Sequence, residues 1–288
     1  MSVLSYQDII SELGKGIYFH PLKPGSVKDC DLCLTASECA YSLTEEQPLT
    51  IHTEQNLQGE ERKYFDIPKN DTALVWTSEA VWLSNEFRGP IHSVVKQVSY
   101  GLGHIGTRVN PNWSGVLCIA LHNVSDKPIR IYVGDVNNPI AHLAIEKLNS
   151  KCSNPSKIHK HDHTPGRLDV IRGRPKSQEI VDYFLAPENG WMMDKKDRLK
   201  QLMLDSKEYK ELKKSVTDKL LGFLGSHKPD RWSAVGAIGG IVGGIAGILG
   251  LIIPIFKPSD SSNLNPKTDT TLQRQANPNK TVSPGSNK

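Results

Sequence analysis

The sequence predicts a mainly β fold, a barrel or sandwich, followed by an amphipathic helix and one membrane-spanning helix. Three observations carry this. Between residues 101 and 146, apolar runs of five or six residues recur about every ten positions, divided by Gly, Pro, Asn and Asp clusters; such punctuation marks short antiparallel strands. Residues 194–231 place apolar side chains at helical spacing among many charges. Residues 232–256 contain no charge at all, a length sufficient to cross a hydrocarbon core of about 30 Å as a helix.

Each element follows in chain order. A first strand after Gly101 ends in the tight turn Asn110-Pro111-Asn112, and Val116-Leu117-Cys118-Ile119-Ala120-Leu121 forms the next strand. The Asn123–Pro128 turn leads to Ile129-Arg130-Ile131-Tyr132-Val133, and Gly134-Asp135 precedes Ile140–Ile145. The segment 151–193 is punctuated by Pro and Gly and reads as irregular. In the helical linker 194–231, Leu199, Met203, Leu212, Val216, Leu220 and Phe223 form one apolar face. That face suits packing on the core or on symmetry mates, or lying on a membrane surface.

The apolar segment 232–256 carries Gly236, Gly240 and Gly244 at four-residue spacing, and Gly239, Gly243 and Gly247 likewise. Small residues so spaced form a stripe that lets helix backbones approach closely. Lys213, Lys214, Lys219, Lys228 and Arg231 precede the segment, against Lys257 and Lys267 after it. The basic excess predicts a single-pass membrane protein with residues 1–231 cytoplasmic. The tail 257–288, rich in Pro, Asn, Ser, Thr and Lys, is expected to be disordered.

The 288 residues carry a formal charge of +4, and much of the excess lies in 195–231 and the tail. It suits anionic lipid headgroups better than a nucleic-acid groove. No nucleic-acid motif, Gly-rich phosphate loop or internal repeat is present. Five cysteines, an odd number with none in the tail, agree with a reducing compartment. Cys30-x-x-Cys33, with Cys39 beyond, is half of a zinc pattern, and no second pair completes it. His159, His161 and His163 alternate along one loop and are candidate metal ligands, though a polar loop without metal is the preferred reading.

Several motifs, in order, resemble the dCTP deaminase branch of the dUTPase-like superfamily. That family has a Thr-x-x-x-Asp-Pro-Gly-Trp-x-Gly turn, a Leu-Glu-Leu-x-Asn strand, a Pro-[Ile/Leu] strand and a Gly-Met-x-Ile-Gly-Gln-Leu segment. The corresponding residues are Asn110-Pro111-Asn112-Trp113-x-Gly115, Ile119-Ala120-Leu121-His122-Asn123, Pro128-Ile129, and Gly134-Asp135 through Ile140-Ala141-His142-Leu143. Leu4–Ile10, Gly16-Ile17 and Pro21-Leu22 resemble its opening helix and first strand, and Asp31-Leu32-x-Leu34 its Tyr-Asp-Leu-x-Leu strand. The resemblance spans residues 3–148 and implies a dUTPase-like β-barrel domain over 1–150. It also implies a homotrimer, a deoxynucleoside triphosphate ligand, and Mg2+ accompanying that ligand.

The departures bear on chemistry. Deamination needs a carboxylate that takes a proton from water and returns it to the ring; at the family's Glu stands Ala120. At the turn Asp stands Asn110, which can hold a water but not deprotonate it. The family's substrate-positioning Arg-Ser-Ser-Leu segment is matched only by Val95–Ser99, offering Lys96 and Ser99. Trp113 keeps the turn's aromatic residue, and Arg167 follows the barrel where relatives cover the nucleotide. His122 shares a strand face with Ala120 and is the fallback base. The leading expectation is a membrane-anchored nucleotide sensor without turnover. An active dCTP deaminase or dNTP pyrophosphatase, and a trimeric structural anchor, are the alternatives.

Overall fold

Ser5 starts the first helix. Its hydroxyl and the Asp8 carboxylate exchange hydrogen bonds with each other's backbone amides, closing a capping box. The computed structural model describes residues 1–153, 165–193 and 196–215. Chain order is β1 (Ser2–Val3), α1 (Tyr6–Glu12), β2 (Ile17–His20), β3 (Val27–Lys28), β4 (Asp31–Leu34), β5 (Ala36–Ser42) and β6 (Gln47–Pro48). Next come β7 (His52–Gln55), β8 (Glu61–Ile67), β9 (Thr72–Leu83), β10 (Phe87–His92), α2 (Val95–Ser99), β11 (Leu102–His104) and β12 (Arg108–Val109). Then follow β13 (Ser114–Asn123), β14 (Ile129–Tyr132), β15 (Ala141–Ala144), β16 (Glu146–Lys147), α3 (Ser177–Leu185) and α4 (Lys196–Asp205). The fold is mainly β, as the strand spacing predicts.

Three antiparallel sheets share one core. One runs β1-β16-β10-β15-β4-β3, with β12 on β10; the second runs β11-β13-β9-β5-β6, with β2 on β9; the third is β14-β8-β7. Trp76, Tyr41, Phe19, Phe65 and Phe87 are fully buried where their inner faces meet. Strand β9 pairs with β13, β5 and β2. It is covered on both faces, so its burial is nearly continuous rather than alternating. Solvent-facing β8 alternates instead: Phe65 and Ile67 point inward, Arg62, Tyr64 and Asp66 outward.

The segment 151–193, read as irregular from its punctuation, contains α3. Ile180 and Phe184, four residues apart, are buried on one face of that helix. It packs on β5 and β6, while the 3-10 turn Pro165–Ile171 packs on β13 and α4 on β2. In α4, Leu199 and Met203 are buried, so over these residues the apolar face serves the core rather than a lipid surface. The Phe19 amide of β2 even donates to the Met203 sulfur at 3.3 Å. Residues 207–215 form a further helix against α1. There the Tyr209 hydroxyl donates to the Leu13 carbonyl at 3.3 Å, and the Lys213 ammonium donates to the Ile10 carbonyl. These donors serve carbonyls that the end of a seven-residue helix leaves without partners. Gly14 permits the approach: its φ is +88°, and a Cβ there would lie 2.5 Å from the Tyr209 oxygen.

Among the described residues no helix is long and apolar enough to cross a membrane. The apolar segment 232–256, its glycine stripes (Gly236, Gly240, Gly244 and Gly239, Gly243, Gly247) and the tail lie outside the described residues.

Candidate functional site

The β9–β13 pairing and the Asn110–Trp113 turn together build a cleft. β12 runs into the turn, where Asn112 sits in the left-handed region at φ +61°, a conformation asparagine tolerates. The Asn112 amide donates to the Leu83 carbonyl at 2.8 Å, and the Trp113 amide to Asn110 at 3.2 Å. The turn is thereby tied to the end of β9, and Trp113 is aimed over the sheet. Between turn, sheet and the 3-10 turn lies a cleft of about 460 Å3. Its apolar walls include Leu74, Ile91, Ile105, Val109 and Trp113; Leu117, Cys118 and Ala120 of β13 contribute, and Val170 borders it from the 3-10 turn. The polar contribution is Thr107, Arg108 and Asn110. Arg108 Nε donates to Asn110 Oδ1 at 3.2 Å, orienting the amide.

The structure therefore brings together Asn110, Trp113 and Ala120, three of the residues singled out in the sequence. His122 follows Ala120 on the same strand face but is not among the cleft-lining residues. Its Nδ1 shares a 2.9 Å hydrogen bond with the Thr72 hydroxyl, and its Nε2 is buried with no partner among the described residues. Lys96 and Ser99 are not brought to the cleft. Lys96 Nζ donates to Asn138 Oδ1 at 2.8 Å, and the Ser99 hydroxyl donates back to the Lys96 carbonyl at 2.6 Å, closing α2 on itself. Lys96 borders a separate hollow of about 200 Å3 with Tyr100, Arg130 and Tyr132. The backbone of Arg167 belongs to the 3-10 turn that delivers Val170; its side chain, and His159, His161 and His163, lie outside what is described. Arg108, Cys118 and Val170 were missed. The signal for Arg108 was its place two residues before Asn110 in a short strand, where alternation puts both on one side.

A wider hollow of about 660 Å3 lies between the β7–β8 turn and residues 133–138. It is open to solvent, and its Arg62 is engaged by Asp135 at 2.7 Å and stacked over Tyr132. It lacks the enclosed apolar walls typical of a small-molecule site.

No group of three or more His, Cys, Asp or Glu able to hold a metal occurs among the described residues. Cys30 is exposed ahead of β4 and Cys33 is buried within it, so the half zinc pattern does not converge. The Mg2+ implied by the family resemblance does not fit the cleft as a protein-held ion: no carboxylate is among its lining residues.

Two histidines outside the cleft lining are tuned in opposite directions. Burial lowers the pKa of His104, whose Nδ1 meets the Ser93 hydroxyl at 2.7 Å. His142, directly opposite Cys33 on the neighbouring strand, is raised to about 9, mainly by the Asp31 carboxylate 3.5 Å away. A raised histidine stabilises the fold fully below its unfolded value, and that contribution is lost as pH rises through about 9. In Asp31→Asn, an NMR titration should show the His142 midpoint falling from about 9 toward 6.5. A midpoint left near 9 would remove Asp31 as the cause.

No protein-family model matches the sequence, and no curated protein sequence matches it. Solved structures do. A 2′-deoxycytidine 5′-triphosphate deaminase from Agrobacterium tumefaciens is similar over 51% of this chain and 48% of its own, at 10% identity and TM-score 0.39. The chain thus spans about half the length of that deaminase. A Staphylococcus bacteriophage 80alpha dUTPase variant with dUpNHpp is similar over 50% of this chain and 97% of its own, at 11% identity and TM-score 0.32. A dUTPase variant from phage phi11 of S. aureus, with a structural Mg(II) ion, is similar over 41% and 95%, at 14% identity and TM-score 0.26.

Proposed function

We propose that this chain is a deoxynucleotide-binding protein of the dUTPase-like kind that holds its ligand without turning it over. The observation that carries the reading is the meeting of Asn110, Trp113 and Ala120 in one cleft whose lining residues include no carboxylate or imidazole. Trp113 offers a ring for a base to stack on. Asn110, oriented by Arg108, offers amide hydrogen bonds to a base or sugar, and Arg108 a guanidinium for phosphate. Nothing in that lining shuttles a proton as deamination or water activation demands. Any Mg2+ would arrive with the triphosphate. In this reading the protein is a homotrimer, the segment 232–256 anchors it in a lipid bilayer with residues 1–231 on the cytoplasmic side, and ligand occupancy biases one arrangement of the assembly.

The test uses the full chain in detergent. Calorimetry with dCTP and dUTP should show saturable binding, and chromatography should show neither deaminated product nor pyrophosphate. Trp113→Ala should weaken binding about fivefold or more, since a stacked base contributes about 1–3 kcal/mol. Lys96→Ala, remote from the cleft, should leave it unchanged. Turnover would replace this reading with an active enzyme and send the search for a base to His122. Neither binding nor turnover would leave the barrel as a structural anchor.

A further inference from the structure

Beside the cleft the β9–β13 ladder is broken. Val116 faces Ala80 and Cys118 faces Trp76, so Thr77, Ser78 and Glu79 of β9 stand against Leu117 alone. On the other side of β9 the ladder with β5 is irregular as well, between Ala36 and Ala40. Bulges of this kind re-aim side chains and recur next to functional sites. Here the bulge has its own supports. The Leu117 amide, which has no ladder partner across the break, donates to Thr77 Oγ1 at 2.9 Å, and that hydroxyl donates to the Glu79 carbonyl at 2.7 Å. Ser78 is pinned to the start of β5 by its amide on the Thr35 carbonyl at 2.9 Å and its hydroxyl on the Ala36 carbonyl at 2.7 Å.

The bulge also turns the Glu79 carboxyl into the interior, where the residue is 0% exposed. Both its oxygens accept from Thr35, Oε2 from the amide at 2.8 Å and Oε1 from the hydroxyl at 2.6 Å. Lys23 is the charged group acting on it, and the Lys23 ammonium is bonded to the Gly134 carbonyl at 2.8 Å. The other side chains that hydrogen-bond at the bulge, Thr35, Thr77 and Ser78, are uncharged. A buried charge so thinly supported strains the segment that carries it.

We infer that Thr77 and Glu79 are positioning residues for the cleft: Thr77 fixes the β13 wall at Leu117 and Cys118, and the charge on Glu79 loosens that wall. The inference rests on the cleft being the ligand site, yet it is read without ligand. Cys118 lines the cleft and reports on the wall, while exposed Cys30 in the β3–β4 turn serves as internal reference. The full chain in detergent is treated with N-ethylmaleimide, and the Cys118-to-Cys30 labelling ratio is read by mass spectrometry.

Thr77→Val, which keeps the shape but removes the hydroxyl, should raise the ratio about fivefold or more, because Leu117 loses its acceptor. Thr77→Ser, which keeps the hydroxyl, should leave it at the wild-type value. Glu79→Gln should lower the ratio at pH 8 and match wild type at pH 5.5. Ratios equal to wild type in both Thr77→Val and Glu79→Gln, with each protein melting in a single transition, would overturn the inference. Should Thr77→Val fail to fold, the pH comparison of Glu79→Gln with wild type decides alone. A parallel run with dCTP separates the two readings: failure of dCTP to protect Cys118 counts against nucleotide binding, whereas the Thr77 and Glu79 results stand independently of it.

Discussion

Phe184→Ala is expected to lower the unfolding free energy by about 3–5 kcal/mol, the range for truncating a fully buried aromatic side chain. Phe184 is 0% exposed, its ring centroid 6.2 Å from Trp76 and 5.3 Å from Tyr183. Trp76 lies well inside β9, so this contact joins α3 to the central strand of the second sheet. Guanidinium unfolding of the full chain, followed by tryptophan fluorescence, measures the loss. A loss below about 1 kcal/mol would mean that α3 merely rests on the sheet. The expected result makes the extension part of the core. The segment that reaches the cleft through Val170 is then continuous with a helix packed on β5 and β6.

The second large effect is a fall in stability with rising pH that Glu79→Gln abolishes. Burial raises the Glu79 carboxyl from 4.5 to about 7, opposed in part by the Thr35 hydrogen bonds. Between those values the native state binds a proton that the unfolded state has released, so unfolding becomes easier as pH rises. The penalty is absent below about 4.5 and complete above about 7. At 1.36 kcal/mol per unit it amounts to about 3 kcal/mol at most. Unfolding at pH 5, 6, 7 and 8 should show the wild-type free energy declining and the Glu79→Gln curve flatter, with the variant the more stable at pH 8. Parallel curves would mean that Glu79 does not titrate in this window. The loss of the His142 contribution continues the decline at higher pH, so Asp31→Asn separates the two.

How much was legible in the sequence depends on what each residue had to signal. The strands over 114–145 announced themselves because the turns between them use Asn-Pro-Asn, Ser-Asp-Lys-Pro and Gly-Asp, residue types that stop strands for steric reasons. Asn110, Trp113 and Ala120 were legible through the resemblance, because they stand at the positions of the family's turn and of the strand after it. Helix α3 was missed: Gly173, Pro175 and Pro187 flank it so closely that only Ile180 and Phe184 carried the helical period. Lys96 and Ser99 were offered by residue type alone, and in α2 Lys96 bonds Asn138 while the Ser99 hydroxyl bonds the Lys96 carbonyl. Glu79 was overlooked because an acid inside an otherwise apolar run reads as a solvent-facing position. The run Thr77-Ser78-Glu79 is nevertheless a visible interruption of the apolar pattern of β9, and it coincides with the break in the ladder.

Strand β7 has a consequence for how this protein behaves in concentrated solution. Among the described residues it pairs with β8 on one side only, which leaves a row of backbone donors and acceptors available to any passing strand. That row is four residues long, and Glu54 within it is held in place by the Arg130 guanidinium at 2.9 Å and the Tyr132 hydroxyl at 2.9 Å. A second β7 laid antiparallel on this edge would gain only a four-residue ladder, with few backbone hydrogen bonds to offset the ordering it costs. The shortness of this edge thus limits what strand-to-strand aggregation could gain there, a limit that the inner strands, paired on both sides, do not need.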